Sequence, residues 1–193
     1  MTEAAKGKAE SIRHRLRNEA KKRGEDVQFY QQRYAMERFL YRLGKSTYRE
    51  RFVLKGATLF AMWGGSKYRP TRDLDFTGYG SSETKDVLAA MRAICMEPDA
   101  VGELRFDEET LAAAPIREDS YYDGLRVTLV AWLGESRIPL QIDIGFGNAI
   151  EPGAVEAEFP VLLGDPAPKI RAYPYQAVVA EKFHAMVVLG ERN

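Results

Sequence analysis

The chain has 193 residues, 45% of them hydrophobic and 11% aromatic, and its 28 Lys/Arg balance its 28 Asp/Glu. That composition predicts one domain with a packed core, or one with a helical appendage, and excludes an intrinsically disordered chain. No apolar run approaches the length of a bilayer span, the start MTEAAKGKAE lacks the apolar segment of a signal peptide, and Cys95 is the only cysteine, so an internal disulfide is excluded and a reducing, cytoplasmic setting is expected.

Residues 3–23 read as a helix, with Ile12, Leu16 and Ala20 on one stripe and Gly24 as its stop. A second helix is expected over 26–43, ended by Gly44, with Phe29, Tyr30, Met36, Phe39, Leu40 and Leu43 inward and Arg33, Arg38 and Arg42 outward. Residues 1–50 carry 13 Lys/Arg against 7 Asp/Glu, and the remainder 15 against 21. A basic helical arm beside an acidic body could guide a polyanion; solvated helix faces explain the same pattern equally well.

The stretch 51–80, RFVLKGATLFAMWGGSKYRPTRDLDFTGYG, reads strand, Lys-Gly turn, short apolar helix over 57–63, basic loop, and a strand over 73–76. A helix over 82–96 capped by Ser82 follows, with Cys95 as a small core residue. Residues 103–107 read as a strand and 108–114 as a short helix or turn. The runs 124–133 and 137–146, separated by Gly134-Glu135-Ser136, signal a hairpin. Residues 158–163 suggest an edge strand limited by Pro160. Pro174 opens a last helix over 175–189, whose apolar arc of Val178, Val179, Phe183, Met186, Val187 and Leu189 encloses Lys182. A lysine there must snorkel or meet an anion.

Alternate strand residues share a face, so Asp73 and Asp75 project together while Leu74 and Phe76 turn to the core. Paired carboxylates repel unless a cation neutralises them. Asp143, between Ile142 and Ile144, is a third carboxylate in an apolar strand and needs a partner or a metal. If the two strands are neighbours, Asp73, Asp75 and Asp143 form a divalent-metal site for phosphoryl chemistry, with Asp143 assisting removal of a proton. Gly56 lets the backbone approach a ligand, and the helix after it offers N–H groups to phosphate. Arg69 and Arg72 suit a triphosphate, or Arg72 pairs with Asp73 or Asp75. Thr58 or Thr71 donates to a phosphate or caps; Lys55 is a phosphate contact or a strand-end charge; Lys182 binds triphosphate or a buried carboxylate. Tyr79, Tyr121 and Tyr122 stack a base or pack. His184 reads as a helix-surface residue, and with His14 is too distant in sequence for a zinc site.

The runs QQRYAMERFLYRLGKSTYRERFVLKGATLFAMWGGSKYRPTRDLDFTGYG, LQIDIGFG and YQAVVAEKFHAMVVLGERN resemble the AbiEii family of nucleotidyltransferase toxins, which includes the mycobacterial MenT-like enzymes. The resemblance implies an α/β (α+β) fold: a DNA polymerase β-like nucleotidyltransferase core with a mixed sheet flanked by helices. It divides the chain into an N-terminal helical segment (1–46), the core (47–172) and the start of a helical C-terminal domain (173–193). It implies Mg²⁺ or Mn²⁺, an NTP substrate, transfer of a nucleotide to RNA such as the tRNA 3′ end with arrest of translation, and an AbiEi-like regulator as the antitoxin of a type IV module. By position, Lys55-Gly56 matches the family's Lys-Gly turn and Thr71-Arg72-Asp73-Leu74-Asp75 its Ser/Thr-x-Asp-x-Asp strand. Asp143 matches its third acidic strand, and Lys182 the lysine of its Glu-Lys-x-x-Ala helix. Ala57 stands where many nucleotidyltransferases have serine, and relatives continue past "GERN" into a segment with another functional Asp. A small-molecule (antibiotic-type) nucleotidyltransferase and a non-catalytic nucleotide- or protein-binding module are the alternatives.

Overall fold

The computed structural model describes residues 3–63, 71–99, 101, 103–116, 124–147 and 149–189. Lys67, Arg69, Tyr121, Tyr122 and the side chain of His184 lie outside the described set. Helices α1 (Glu3–Arg23) and α2 (Val27–Lys45) lead into strand β1 (Phe52–Lys55), a 3-10 turn (Ala57–Leu59), the single-turn α3 (Phe60–Trp63) and β2 (Asp73–Gly78). There follow α4 (Thr84–Met96), β3 (Leu104–Pro115), β4 (Gly124–Leu133), β5 (Ser136–Phe146), β6 (Val155–Glu158), β7 (Lys169–Ala172) and α5 (Tyr175–Leu189). Among the described residues the strands form one mixed sheet in the order β3-β4-β5-β2-β1-β7-β6. The β2–β5 and β1–β7 pairs are parallel and the others antiparallel. This is the mixed α/β architecture expected from the sequence.

Helix α2 is the centre of the core. Asp26 caps it by accepting from the Gln28 N–H at 2.8 Å. It runs past Gly44 to Ser46, whose N–H and Oγ bond to the last carbonyls. Gly44 is therefore not a stop. A Cβ built on it would lie 2.3 Å from the carbonyl oxygen of Lys169, so the glycine is where β7 crosses the helix in backbone contact.

Arg38 and Arg42 are not outward either. They are 0% and 8% exposed. Arg38 Nε pairs with Asp99 at 2.9 Å and its guanidinium reaches the Pro166 carbonyl at 3.3 Å. Arg42 donates to the carbonyls of Cys95 and Leu104 and lies over the Phe106 ring. Arg33 is half-buried and donates to Glu37, whose second oxygen accepts from the Leu162 N–H. Periodicity marks where arginine sits on a helix, but a long side chain can satisfy loop carbonyls from inside a core.

The remaining differences are local. Helix α4 begins at Thr84, because Ser81, not Ser82, accepts from the Glu83 N–H and donates to Asp86. Residues 108–114 continue β3 through a register shift between Asp107 and Ala112. Thr110 fills the break by accepting from Val130 N–H and donating to the Asp107 carbonyl. The hairpin turn is the two residues Gly134-Glu135. The edge strand β6 ends before Pro160, and β7, short and flanked by Pro168 and Pro174, was not foreseen. In α5, Ala177 and Val178 are buried while Val179, Phe183, Met186 and Val187 are exposed. No helix among the described residues is long and apolar enough to cross a membrane.

Candidate active site

Helix α2 packs on one face of the sheet at β5 and β7, and Leu74, Phe76, Ile142 and Ile144 are buried in the core on that face. The alternate residues of β2 and β5 therefore emerge on the opposite face. Parallel pairing sets Asp75 beside Asp143, and antiparallel pairing sets Lys55 beside Asp75 and Arg126 beside Asp143. The result is one transverse row across four strands, Lys55–Asp75–Asp143–Arg126, with cations outside and carboxylates inside. Asp73 lies two residues along β2 on the same face. One carboxylate oxygen each from Asp73, Asp75 and Asp143 lies within 4.8 Å of the others.

Each acid is held differently. Thr71 donates its hydroxyl to Asp73 Oδ1, and the buried Thr58 hydroxyl donates to the Asp73 carbonyl at 2.9 Å. Both threonines thus fix the start of β2. Asp143 accepts a fork from Arg126, Nε to Oδ1 at 2.9 Å and Nη2 to Oδ2 at 2.7 Å, with Gln141 adding a 3.3 Å contact. Asp75 is pushed up to about 6, first by burial and then by Asp73 and Asp143, with Lys55 and Lys182 opposing the rise. A cluster that resists its own ionisation in this way fits a divalent cation.

Gly56 is the other half of that fit. Its φ of 73° and ψ of −162° are open only to glycine, and a Cβ there would lie 2.2 Å from Asp75 Oδ2. The backbone turn is packed directly on the Asp75 carboxylate. The helix expected after it is a 3-10 turn leading into α3, and Ala57 brings no hydroxyl. On this side also stand Lys55, whose ammonium is 4.0 Å from Glu181, and Lys182 of α5, which is exposed and acts on Asp75. Lys182 thus faces anions and not the core.

Arg72 lies on the other side of Asp73, lining a cavity toward β4 and β5. Tyr79 is at the opposite end of β2 and is not brought to the site. Cys95 is buried and its thiol pushed up to about 12 by that burial, so it is inert. Arg126 was missed from sequence. A two-residue turn pairs Leu133 with Ser136 and, counting back, Arg126 with Asp143; that register identifies it, whereas a three-residue loop over 134–136 does not.

A parallel β2–β5 pair carrying D-x-D beside a third aspartate, on a mixed sheet with a glycine turn at its edge, defines a nucleotidyltransferase-type fold and site. The sequence matches the family described as nucleotidyl transferase AbiEii toxin, type IV toxin–antitoxin system, over residues 38–193. The chain belongs to that family. The structure is similar to the crystal structure of JHP933 from Helicobacter pylori, with a TM-score of 0.50 and 16% identity over 83% of this chain and 58% of that one. A candidate nucleotidyltransferase from H. pylori is similar at a TM-score of 0.49 and 17% identity, over 81% and 58% of the two chains. The chain thus spans less than two thirds of the length of these solved structures. No curated protein matches it.

Proposed function

We propose that this protein is a divalent-metal-dependent nucleotidyltransferase that moves a nucleoside monophosphate from an NTP to an RNA acceptor, the 3′ end of tRNA, and so blocks translation. The observation that carries the reading is the convergence of Asp73, Asp75 and Asp143 beside a glycine turn, with lysines on one flank and arginines on the other. Asp73, Asp75 and Asp143 would hold Mg²⁺ or Mn²⁺, which when bound neutralises phosphate charge and raises the acidity of the acceptor hydroxyl. In the transfer an acceptor oxygen bonds to the α-phosphorus, the bond from that phosphorus to the oxygen bridging it to the β-phosphate breaks, and pyrophosphate leaves. On this reading Asp143 takes the hydroxyl proton at a carboxylate oxygen. Lys55 and Lys182 counter the charge of the leaving pyrophosphate, with the Gly56 turn admitting the phosphates close to the backbone. Thr58 and Thr71 act by fixing Asp73, Arg69 extends the phosphate contacts, and Arg72, on the other side of Asp73, serves the acceptor.

The cavity beside Asp73 is lined by Arg72 and Arg137, and Asp73 is its acidic lining residue among those described. That charge suits an anionic acceptor and would repel a cationic antibiotic. An AbiEi-like regulator is the expected antitoxin. The test is incubation of wild type and Asp73→Ala with labelled NTPs, Mg²⁺ and total tRNA. Label on tRNA that depends on Asp73 supports the reading; no label from any of the four NTPs refutes tRNA as acceptor. NTP binding without turnover would favour a non-catalytic module.

A further inference from the structure

The transfer chemistry leaves unexplained a groove that runs away from Asp73. A cavity of about 410 Å³ is lined by Arg72, Asp73, Thr128, Arg137 and Gln141, among others. A second, of about 510 Å³, shares Gln32, Arg72, Arg137 and Pro139 with it and continues to Gln28 and Gln31 at the start of α2. The two join into one channel beside β5, where these polar side chains stand among apolar ones such as Leu129, Val130 and Ile138. Asp143, Gln141, Pro139 and Arg137 alternate onto one face of β5, so the guanidinium of Arg137 is rooted about 13 Å along the strand from Gln141. The wall is held in place: Gln32 Nε2 donates to the carbonyls of Arg72 at 2.9 Å and Pro139 at 3.2 Å, and Gln31 bonds to Ser136.

Charge distinguishes the channel. The arginines of α2 pair with carboxylates or satisfy carbonyls, and Arg126 is clasped to Asp143. Arg72 and Arg137 are exposed and, among the described residues, neither is paired with a carboxylate. Two guanidiniums, with the amides of Gln32 and Gln141 and the hydroxyl of Thr128 on the same lining, suit phosphodiester oxygens, which accept from forked donors irrespective of base. The channel begins at Asp73, and its lining includes neither Lys55 nor Gly56; a strand lying in it would bring its end to the carboxylates grouped around Asp73.

We propose that this channel is the subsite for the sugar–phosphate backbone of the acceptor strand, with Arg137 and Arg72 gripping the phosphates that precede the reacting 3′-hydroxyl. The inference rests on the transfer reading for its placement. It assigns affinity to backbone and not to sequence, because the polar groups of the channel among the described residues are guanidiniums, amides and hydroxyls and its one aromatic lining residue, Phe29, is buried.

The test uses the full chain, a single-stranded RNA of arbitrary sequence with a free 3′-hydroxyl, and Arg137→Ala, Arg137→Lys and Arg105→Ala, the last an exposed arginine on β3. Arg137→Ala is expected to weaken RNA binding in anisotropy roughly tenfold, as loss of one charge-assisted contact, and to lower the log–log salt slope by about 0.7. It should raise KM for RNA while leaving kcat and NTP affinity unchanged, with partial rescue by Arg137→Lys and no effect of Arg105→Ala. If Arg137→Ala binds RNA like wild type while transfer persists, the subsite is overturned and the transfer reading stands. If wild type labels no RNA, transfer fails, and the anisotropy series alone decides whether the channel binds a polynucleotide. If polyglutamate displaces RNA at equal charge and KM is unmoved, the channel serves an acidic polypeptide, and the proposal is overturned.

Discussion

Replacing Asp75 with Asn should stabilise the metal-free protein while abolishing its chemistry. In the fold this carboxyl is pushed from 3.8 to about 6, which corresponds to about 3 kcal/mol held against its ionised form. A raised pKa means the folded state binds the proton more tightly than the unfolded chain. Nothing is lost below about pH 4, stability falls as pH rises from there to about 6, and the full penalty applies above 6. Asn carries no charge, so the variant should gain up to about 3 kcal/mol over wild type at pH 8 in EDTA, roughly 6–12 °C in Tm for a chain of this size, and almost nothing at pH 4. Glu37, pushed up to about 7 chiefly by burial, gives the wild type a second decline of the same sign, so the readout is the difference between the two proteins. The assay is thermal melting of both at pH 4, 6 and 8. An Asn variant no more stable than wild type at pH 8, or one whose advantage is independent of pH, refutes the account of a strained acidic cluster. Added Mg²⁺ should raise the Tm of wild type more at pH 8 than at pH 5, and of the variant little at either.

Gly56→Ala forces a Cβ to within 2.2 Å of Asp75 Oδ2 at a φ of 73°; it should cost about 1–3 kcal/mol and at least ~100-fold in transfer, read by melting and labelling, and an active, equally stable variant would show the turn to be incidental. Arg126→Gln removes the cation that competes for Asp143, so the Mg²⁺ concentration giving half the maximal Tm shift should fall roughly fivefold; a rise would mean that Arg126 assembles the site. Arg38→Ala leaves Asp99, whose side chain is 1% exposed, with Arg42 Nε at 4.0 Å as its remaining cation and should cost about 3 kcal/mol in urea unfolding; a cost under about 1 kcal/mol would mean the pair is dispensable.

The parts of the site legible in sequence were those written in local pattern. Asp73 and Asp75 at period two, Gly56 after a strand, and Asp143 inside an apolar run each announce themselves because the wrong residue type there is expensive. What required coordinates was register. Arg126 reaches Asp143 only because the hairpin turn is two residues long, and Lys55 stands beside Asp75 only because β1 runs antiparallel to β2. The fold was legible where periodicity ran long, as in α1, α2 and α5. It was not where strands were broken or brief: β3 hides a bulge behind an Ala-rich segment, and β7 has four residues between prolines. Gly44 and Arg38 deceived for a common reason. Both break a surface rule in order to meet another element, Lys169 and Asp99 respectively, that is remote in sequence.

The surplus of basic residues in the first fifty positions raised the idea of a helical arm that guides a polyanion. The fold assigns much of that charge elsewhere. Arg38 and Arg42 hold loops inside the core, Arg33 serves Glu37, and Arg49 meets Glu156. A second set of cations stands around the acids, Arg126 clasped to Asp143 and Lys55 4.0 Å from Glu181, and they are sorted by kind. Lysines, Lys55 and Lys182, occupy the flank with the glycine turn; arginines, Arg72, Arg126 and Arg137, occupy the other. An ammonium is a mobile point charge that follows a phosphate as it departs, whereas a guanidinium fork fixes the orientation of what it holds. The proposed transfer, with pyrophosphate released on one flank and an acceptor strand kept aligned on the other, calls for these two chemistries in that order. Exchanging them tests the sorting: Lys182→Arg should slow product release and lower kcat, while Arg137→Lys should raise KM for RNA and spare kcat. Equal effects on both constants from both exchanges would show that only charge, and not its geometry, matters at this site.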